Sequence, residues 1–273
     1  MNLYAGVAGI DSNGYQGGMN WDTGRFPLVQ YVAKLDAKNT IGVSLEQNSQ
    51  NGSSQTGAPK YYAPNVAGAQ SDNKLPTLVG AYTFGDSWGH VRLSAAIQSW
   101  GFRVPATATV AERKESTVTT TLGLGTKVLI GKDNVSATLV TGKGSGAYSQ
   151  GDAGLSFYDA TKKEWDLIKS TGWQAGYTHT FTDAVNASVG AVGYSYTDDK
   201  AIPADNTPGH VKSFMAAFVN ATVQVTKTFN YGVEYKYEKY TFTGNNSAAN
   251  DKGVLSGNTT NSSMLEFTCS ATF

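Results

Sequence analysis

The chain has 273 residues, with 21 basic and 21 acidic side chains and no net formal charge. Only 15% of its residues are charged, against about 25% in soluble domains, and the neutral balance leaves no electrostatic footprint for nucleic acid. Its one cysteine excludes a disulfide framework within the chain.

Glycine (31) and tyrosine (15) are abundant and proline (7) is scarce. Mean hydropathy is −0.30, and no run approaches the ~18 apolar residues of a transmembrane helix. Helical periodicity is nearly absent. Period-two alternation, the mark of strands with two unlike faces, recurs along the whole length.

Residues 2–10 (NLYAGVAGI) read as a first short strand that follows Met1 directly, so no signal peptide is expected. Residues 11–26 form a loop. Strand two, 27–36, sets Val29, Tyr31, Ala33 and Leu35 against Gln30 and Lys34. A tight turn at 36–39 leads to strand three, 40–47, where Ile41, Val43 and Leu45 oppose Gly42, Ser44 and Glu46. A long polar loop spans 48–75. Strand four, 77–84, turns through GDSWG into strand five, 90–100, with Val91, Leu93, Ala95 and Ile97 opposite His90, Arg92, Ser94 and Gln98. Strand six, 116–130, alternates leucines with threonines and glycines and turns into strand seven, 135–142. The loop 143–166 carries one expected helical turn, around Ala160–Trp165.

Strand eight, 167–181, groups Trp173, Ala175 and Tyr177 and turns into strand nine, 185–196. Strand ten, 211–226, is apolar on both faces at its middle (FMAAFV) and turns into strand eleven, 231–242. The last strand, 261–273, places Leu265, Phe267, Cys269, Ala271 and Phe273 on one face and Glu266, Thr268, Ser270 and Thr272 on the other.

The count is twelve strands, joined alternately by turns of four or five residues and loops of roughly 13 to 28. Strands near ten residues suffice to cross a bilayer at a tilt. Backbone groups in lipid must all be paired, which requires a closed barrel, and an even strand number puts both termini on one side. The expected fold is therefore all-β: one transmembrane antiparallel up-and-down β-barrel domain, 1–273, with short periplasmic turns and long extracellular loops. Aromatic side chains near the strand ends fit interfacial girdles: Phe84, Trp88, Phe181, Phe229 and Phe273 on the turn side, and Trp100, Phe102, Trp173, Tyr196 and Tyr240 on the loop side.

Three stretches go further. RFPLVQYVAKLDAKNTIGVSLEQ (25–47), KLPTLVGAYTFGDSWGHVRLSAAIQ (74–98) and KSFMAAFVNATVQVTKTFNYGVEYKY (212–237), with the terminal strand, resemble the DcaP-like porins of Gram-negative bacteria. The resemblance implies an outer-membrane channel, a homotrimer of sixteen-stranded barrels that passes small anions such as dicarboxylates. The chain departs from that pattern in having fewer strands at its N-terminal side and a short 11–26 loop where the family's constriction loop falls. It also has small or neutral residues (Gln30, Ala81, Thr83, Gln98, Thr178) where family arginines are expected.

The three histidines show no metal-ligand spacing, so no metal or cofactor is expected. A Ser–His nucleophile of the outer-membrane phospholipase kind is disfavoured, because His90 has lumen parity and His179 lies near a turn. Parity places Lys34, Glu46, His90, Arg92, Lys127, Glu234, Lys236, Glu238 and Glu266 in the lumen, with Asp22, Arg25 and Arg103 at the loop-side mouth. Cys269 belongs to the lipid-facing row. The remaining inward positions are mostly small and the inward charges balance. The expectation is a non-enzymatic, narrow, weakly selective pore for ions and small polar solutes in outer-membrane lipid. The alternatives are a plugged or structural barrel, for which loop 48–75 is the candidate plug, and a shortened pore scaffold with no natural substrate.

Overall fold

The structure, a computed structural model, describes residues 28–46, 70–72, 75–106, 111–144, 156–159, 162–196, 211–242 and 259–271. Eleven strands form one meandering antiparallel path. They are β1 (Leu28–Lys34), β2 (Asn39–Glu46), β4 (Thr77–Asp86), β5 (Gly89–Val104), β6 (Arg113–Ile130), β7 (Asp133–Lys143), β10 (Lys169–Thr182), β11 (Val185–Tyr196), β12 (Val211–Thr226), β13 (Phe229–Phe242) and β14 (Thr259–Ala271). The two-residue β3 (Gln70–Ser71) pairs with β5 beside this path, and β8 (Ser156–Asp159) with β9 (Glu164–Leu167) makes a separate hairpin. Each of these eleven strands overlaps one expected from the sequence. The twelfth, 2–10, lies outside the described residues. Among the described residues β1 and β14 are not paired with each other.

The register keeps like with like. Val29, Tyr31 and Ala33 of β1 stand opposite Leu45, Val43 and Ile41 of β2, and Tyr231 and Val233 of β13 opposite Cys269 and Phe267 of β14. Rows of apolar side chains thus run across the sheet on one face, and that face is the exposed one: Leu93, Ile97, Val118, Leu122, Leu124, Leu139, Val189, Val219, Leu265 and Phe267 are all exposed. The opposite face is buried and largely polar, with Ser44, Thr77, Gln98, Thr119, Ser136, Gln174, Ser188 and Asn220 among its buried members. A sheet greasy outside and polar inside is the inverse of a soluble fold. Cys269 is exposed on the apolar face, as its parity with Leu265 and Phe267 requires.

The turns are held by their own side chains. Asp36 accepts from the backbone N–H groups of Lys38 (2.7 Å) and Asn39 (2.8 Å), which holds its carboxyl below the usual range. At the β4–β5 turn, Gly89 has φ +129°, and a Cβ there would lie 1.9 Å from the Lys127 carbonyl oxygen. Only glycine fits that close approach.

Candidate channel interior

The inner wall divides into two halves. Toward the turns its side chains are small or charged. His90 of β5 stands directly opposite Lys127 of β6, and Arg92 two residues on faces Gly125. The Arg92 guanidinium donates to Thr83 Oγ1 at 3.0 Å. Beyond them come strands whose inward positions carry no charge: Ser136 and Thr138 of β7, Gly176 and Thr178 of β10, Ser188 and Gly190 of β11. They are joined by bonds such as Thr178 Oγ1 to Ser188 Oγ at 2.9 Å. On the far side Glu234 of β13 stands directly opposite Glu266 of β14. Asn220 Nδ2 donates to Glu234 Oε2 at 3.1 Å, and Lys236 Nζ lies 3.0 Å from Glu238 Oε1. Glu238 also accepts from Tyr240 and Ser262, each at 3.2 Å.

Toward the loops the wall is aromatic and packed. Ile168, Val192, Tyr194, Tyr196, Phe214 and Ala216 form one buried cluster against Tyr240. Rings of Tyr194 and Phe214 stack with centroids 5.6 Å apart, and Phe214 meets Tyr240 at 4.7 Å. Trp100 is 1% exposed and donates through Nε1 to Thr119 Oγ1 at 2.9 Å and to the Gly144 carbonyl at 3.1 Å. The β8–β9 hairpin packs Tyr158 and Trp165 against Phe102 of β5, with centroids 5.0 and 5.8 Å from the Phe102 ring. The Tyr158 hydroxyl accepts a short hydrogen bond from Arg113 and donates to Glu115 at 3.2 Å. Arg113 in turn pairs with Glu115 at 3.1 Å.

Several sequence expectations change here. Trp100, Phe102, Tyr196 and Tyr240, expected in a lipid-side girdle, occupy the inner wall; only Trp173 of that set is exposed. The reason is parity. Trp100 and Phe102 share the face of Gln98, and Tyr196 and Tyr240 lie on the faces of Ser188 and Glu238. Of the turn-side set, Phe84, Trp88, Phe181 and Phe229 are exposed, and Phe84 and Trp88 pack together at 6.3 Å; Phe273 lies outside the described residues. Arg103 does not face inward; it is exposed on the face of Leu93 and Ile97, beside Gln70 of β3. The helical turn expected around Ala160–Trp165 is instead the β8–β9 hairpin. Asp159 favours the tighter turn by accepting from the Lys162 N–H at 3.0 Å, and Lys163 takes φ 58°.

Lys34, Glu46, Arg92, Lys127, Glu234, Lys236, Glu238 and Glu266 all share the face read as inward, with Lys34 exposed at the β1 edge and Glu46 fully buried beside Ser44 (2.7 Å). Asp22 and Arg25 lie outside the described residues. One cluster has no counterpart in the sequence pattern: His179 Nδ1 lies 2.9 Å from Asp133 Oδ2, and the Tyr177 hydroxyl donates to the same oxygen at 2.5 Å. These side chains come from different strands, β7 and β10. Only the register joins them, so no local spacing could reveal the pair.

An up-and-down antiparallel sheet with an apolar outside and a polar, charged inside is the architecture of outer-membrane porins. Among solved structures the chain is similar to the outer membrane channel DcaP of Acinetobacter baumannii, at TM-score 0.62 and 14% identity over 97% of this chain and 70% of that one. It is also similar to the anion-selective porin from Comamonas acidovorans, at TM-score 0.54 and 12% identity over 90% of this chain and 59% of that one. The resemblance to DcaP-like porins read from the sequence is thus borne out in the fold. No family model matches the chain, and no curated protein sequence does.

Proposed function

We propose that this protein is an outer-membrane porin, a closed barrel that lets ions and small polar solutes diffuse passively. One observation carries the reading: a continuous sheet whose exposed face is apolar and whose buried face holds Arg92, Lys127, Glu234 and Glu266. Charges cost ~2–4 kcal/mol at the lipid face of such sheets, so they belong to a wet interior. The porin fold of DcaP supports the same reading. Strand direction supports closure. Eleven alternating strands leave β1 and β14 parallel to each other. One further antiparallel strand between them pairs both edges, and residues 2–10 are long enough to supply it. Turns and termini then face the periplasm and the loops face outward. The homotrimer rests on the family resemblance, and mass measurement in detergent tests it.

Single-channel recording in a planar bilayer is the decisive experiment. Stable ohmic steps are expected, small because Trp100, Phe102 and the β8–β9 hairpin occupy the loop half of the wall. The second reading, a plugged barrel, takes its support from that same packed half and predicts no steps.

A further inference from the structure

The inward charges nearly balance in number but are unevenly placed. In the strand order, β5 and β6 hold the fourth and fifth positions and β13 and β14 the tenth and eleventh. If twelve strands close the barrel, these pairs lie half a circumference apart. The first carries His90, Arg92 and Lys127. The second carries Glu234, Glu238 and Glu266, with Lys236 held by Glu238 at 3.0 Å. Arg92 and Lys127 lie three residues in from the turn ends of their strands, and Glu234 and Glu266 five in. The two walls therefore stand at nearly one height. Between them, inward positions of β7, β10, β11 and the turn half of β12 carry no charge. The other described inner-face charges stand apart: Lys34 at the end of the edge strand β1, and buried Glu46, the Arg113–Glu115 pair and Lys212 at loop ends.

We propose that the interior selects zwitterionic small solutes, those with separated ammonium and carboxylate groups, over neutral or singly charged solutes of equal size. The proposal rests on the channel reading above. Twelve strands at ~4.8 Å spacing and ~40° tilt set opposed backbones roughly 24 Å apart. Long side chains on both walls leave a gap of about one Debye length, so neither wall is screened from a solute between them. A simple anion is drawn to one wall and repelled by the other. A zwitterion oriented across the gap is attracted at both ends, which raises its local concentration.

Swelling of liposomes containing the full chain tests this with two isomers, zwitterionic β-alanine and neutral lactamide. β-Alanine is expected to enter about threefold faster or more, the enrichment that a potential near one kT provides. Arg92→Gln/Lys127→Gln and Glu234→Gln/Glu266→Gln should each abolish that preference while lactamide entry persists. In a KCl gradient the first should shift the reversal potential toward cation selectivity and the second toward anion selectivity. Heat-modifiable gel mobility verifies that each variant folds, and the wild-type comparison stands without them. Equal entry of the two isomers through a conducting wild-type pore overturns the proposal, as does a preference that survives both double variants. Absence of any conductance or lactamide entry overturns the channel reading itself.

Discussion

The two halves of the inner wall differ in what they demand of the chain. The turn half is lined by Gly, Ser and Thr with a few charged side chains, joined by short polar contacts such as Thr178 to Ser188. The loop half is a packed interior of rings: Tyr194, Tyr196 and Phe214 in one cluster, Phe102 and Tyr158 in another. Both halves lie on the same strands and share one parity. What differs is what covers them. The hairpin β8–β9 folds onto Phe102, while Tyr194, Tyr196 and Phe214 bury one another against Tyr240. An inward face is therefore polar or packed according to what its side chains bury against and not according to its strand.

The largest effect is expected where the turn half depends on a single backbone approach. Gly89→Val forces a side chain against the Lys127 carbonyl at a strained φ, with a cost of about 4 kcal/mol from strain and overlap together. It should misalign His90 with Lys127, and loss of the heat-modifiable folded band would report it. Next comes the hairpin. Tyr158→Ala removes a buried ring that touches Phe102 and Trp165, roughly 3 kcal/mol of local hold. Channel conductance should rise while the thermal unfolding of the sheet stays put; unchanged conductance would mean the hairpin does not narrow the path.

A smaller change is expected at Gly190, where Phe218 covers the bare backbone and a Cβ would meet its ring at 2.7 Å. Gly190→Val should lower stability by about 1–2 kcal/mol through overpacking, read as a reduced unfolding temperature, with ion selectivity unaffected. The smallest effect lies at the turns, off the face of the sheet. Lys132 and Asp183 join neighbouring turns at 2.8 Å, and that contact lowers the Asp183 carboxyl and raises the Lys132 amine. A carboxyl depressed in the folded state stabilises above its unfolded value near 4, and that stabilisation fades as pH falls through the lowered value. Asp183→Asn should therefore cost little at neutral pH and flatten the acid limb of the stability curve.

Alternation alone determined eleven strands, the five short turns joining them, the apolar outer rows and the common face of Lys34, Glu46, Arg92, Lys127, Glu234, Lys236, Glu238 and Glu266. It did not single out Arg113, Glu115 or Lys212 on that face, and Arg103 lies on the other one. These are local properties: a side chain two residues along a strand returns to the same face, and a charge on a lipid-facing row costs most at mid-strand, so an outer charge such as Arg103 falls at a strand end. The sequence also carried the signals for the inner aromatics, since Trp100 continues the row of Gln98 and Phe214 that of Asn220, but aromatic residues at strand ends suit a membrane girdle equally well. Burial decided between the two. Tertiary structure alone decided the rest: the hairpin on Phe102, the meeting of His179 with Asp133, and the gathering of bases on β5–β6 and acids on β13–β14. Each joins residues far apart in the chain, and only strand order and register set such distances.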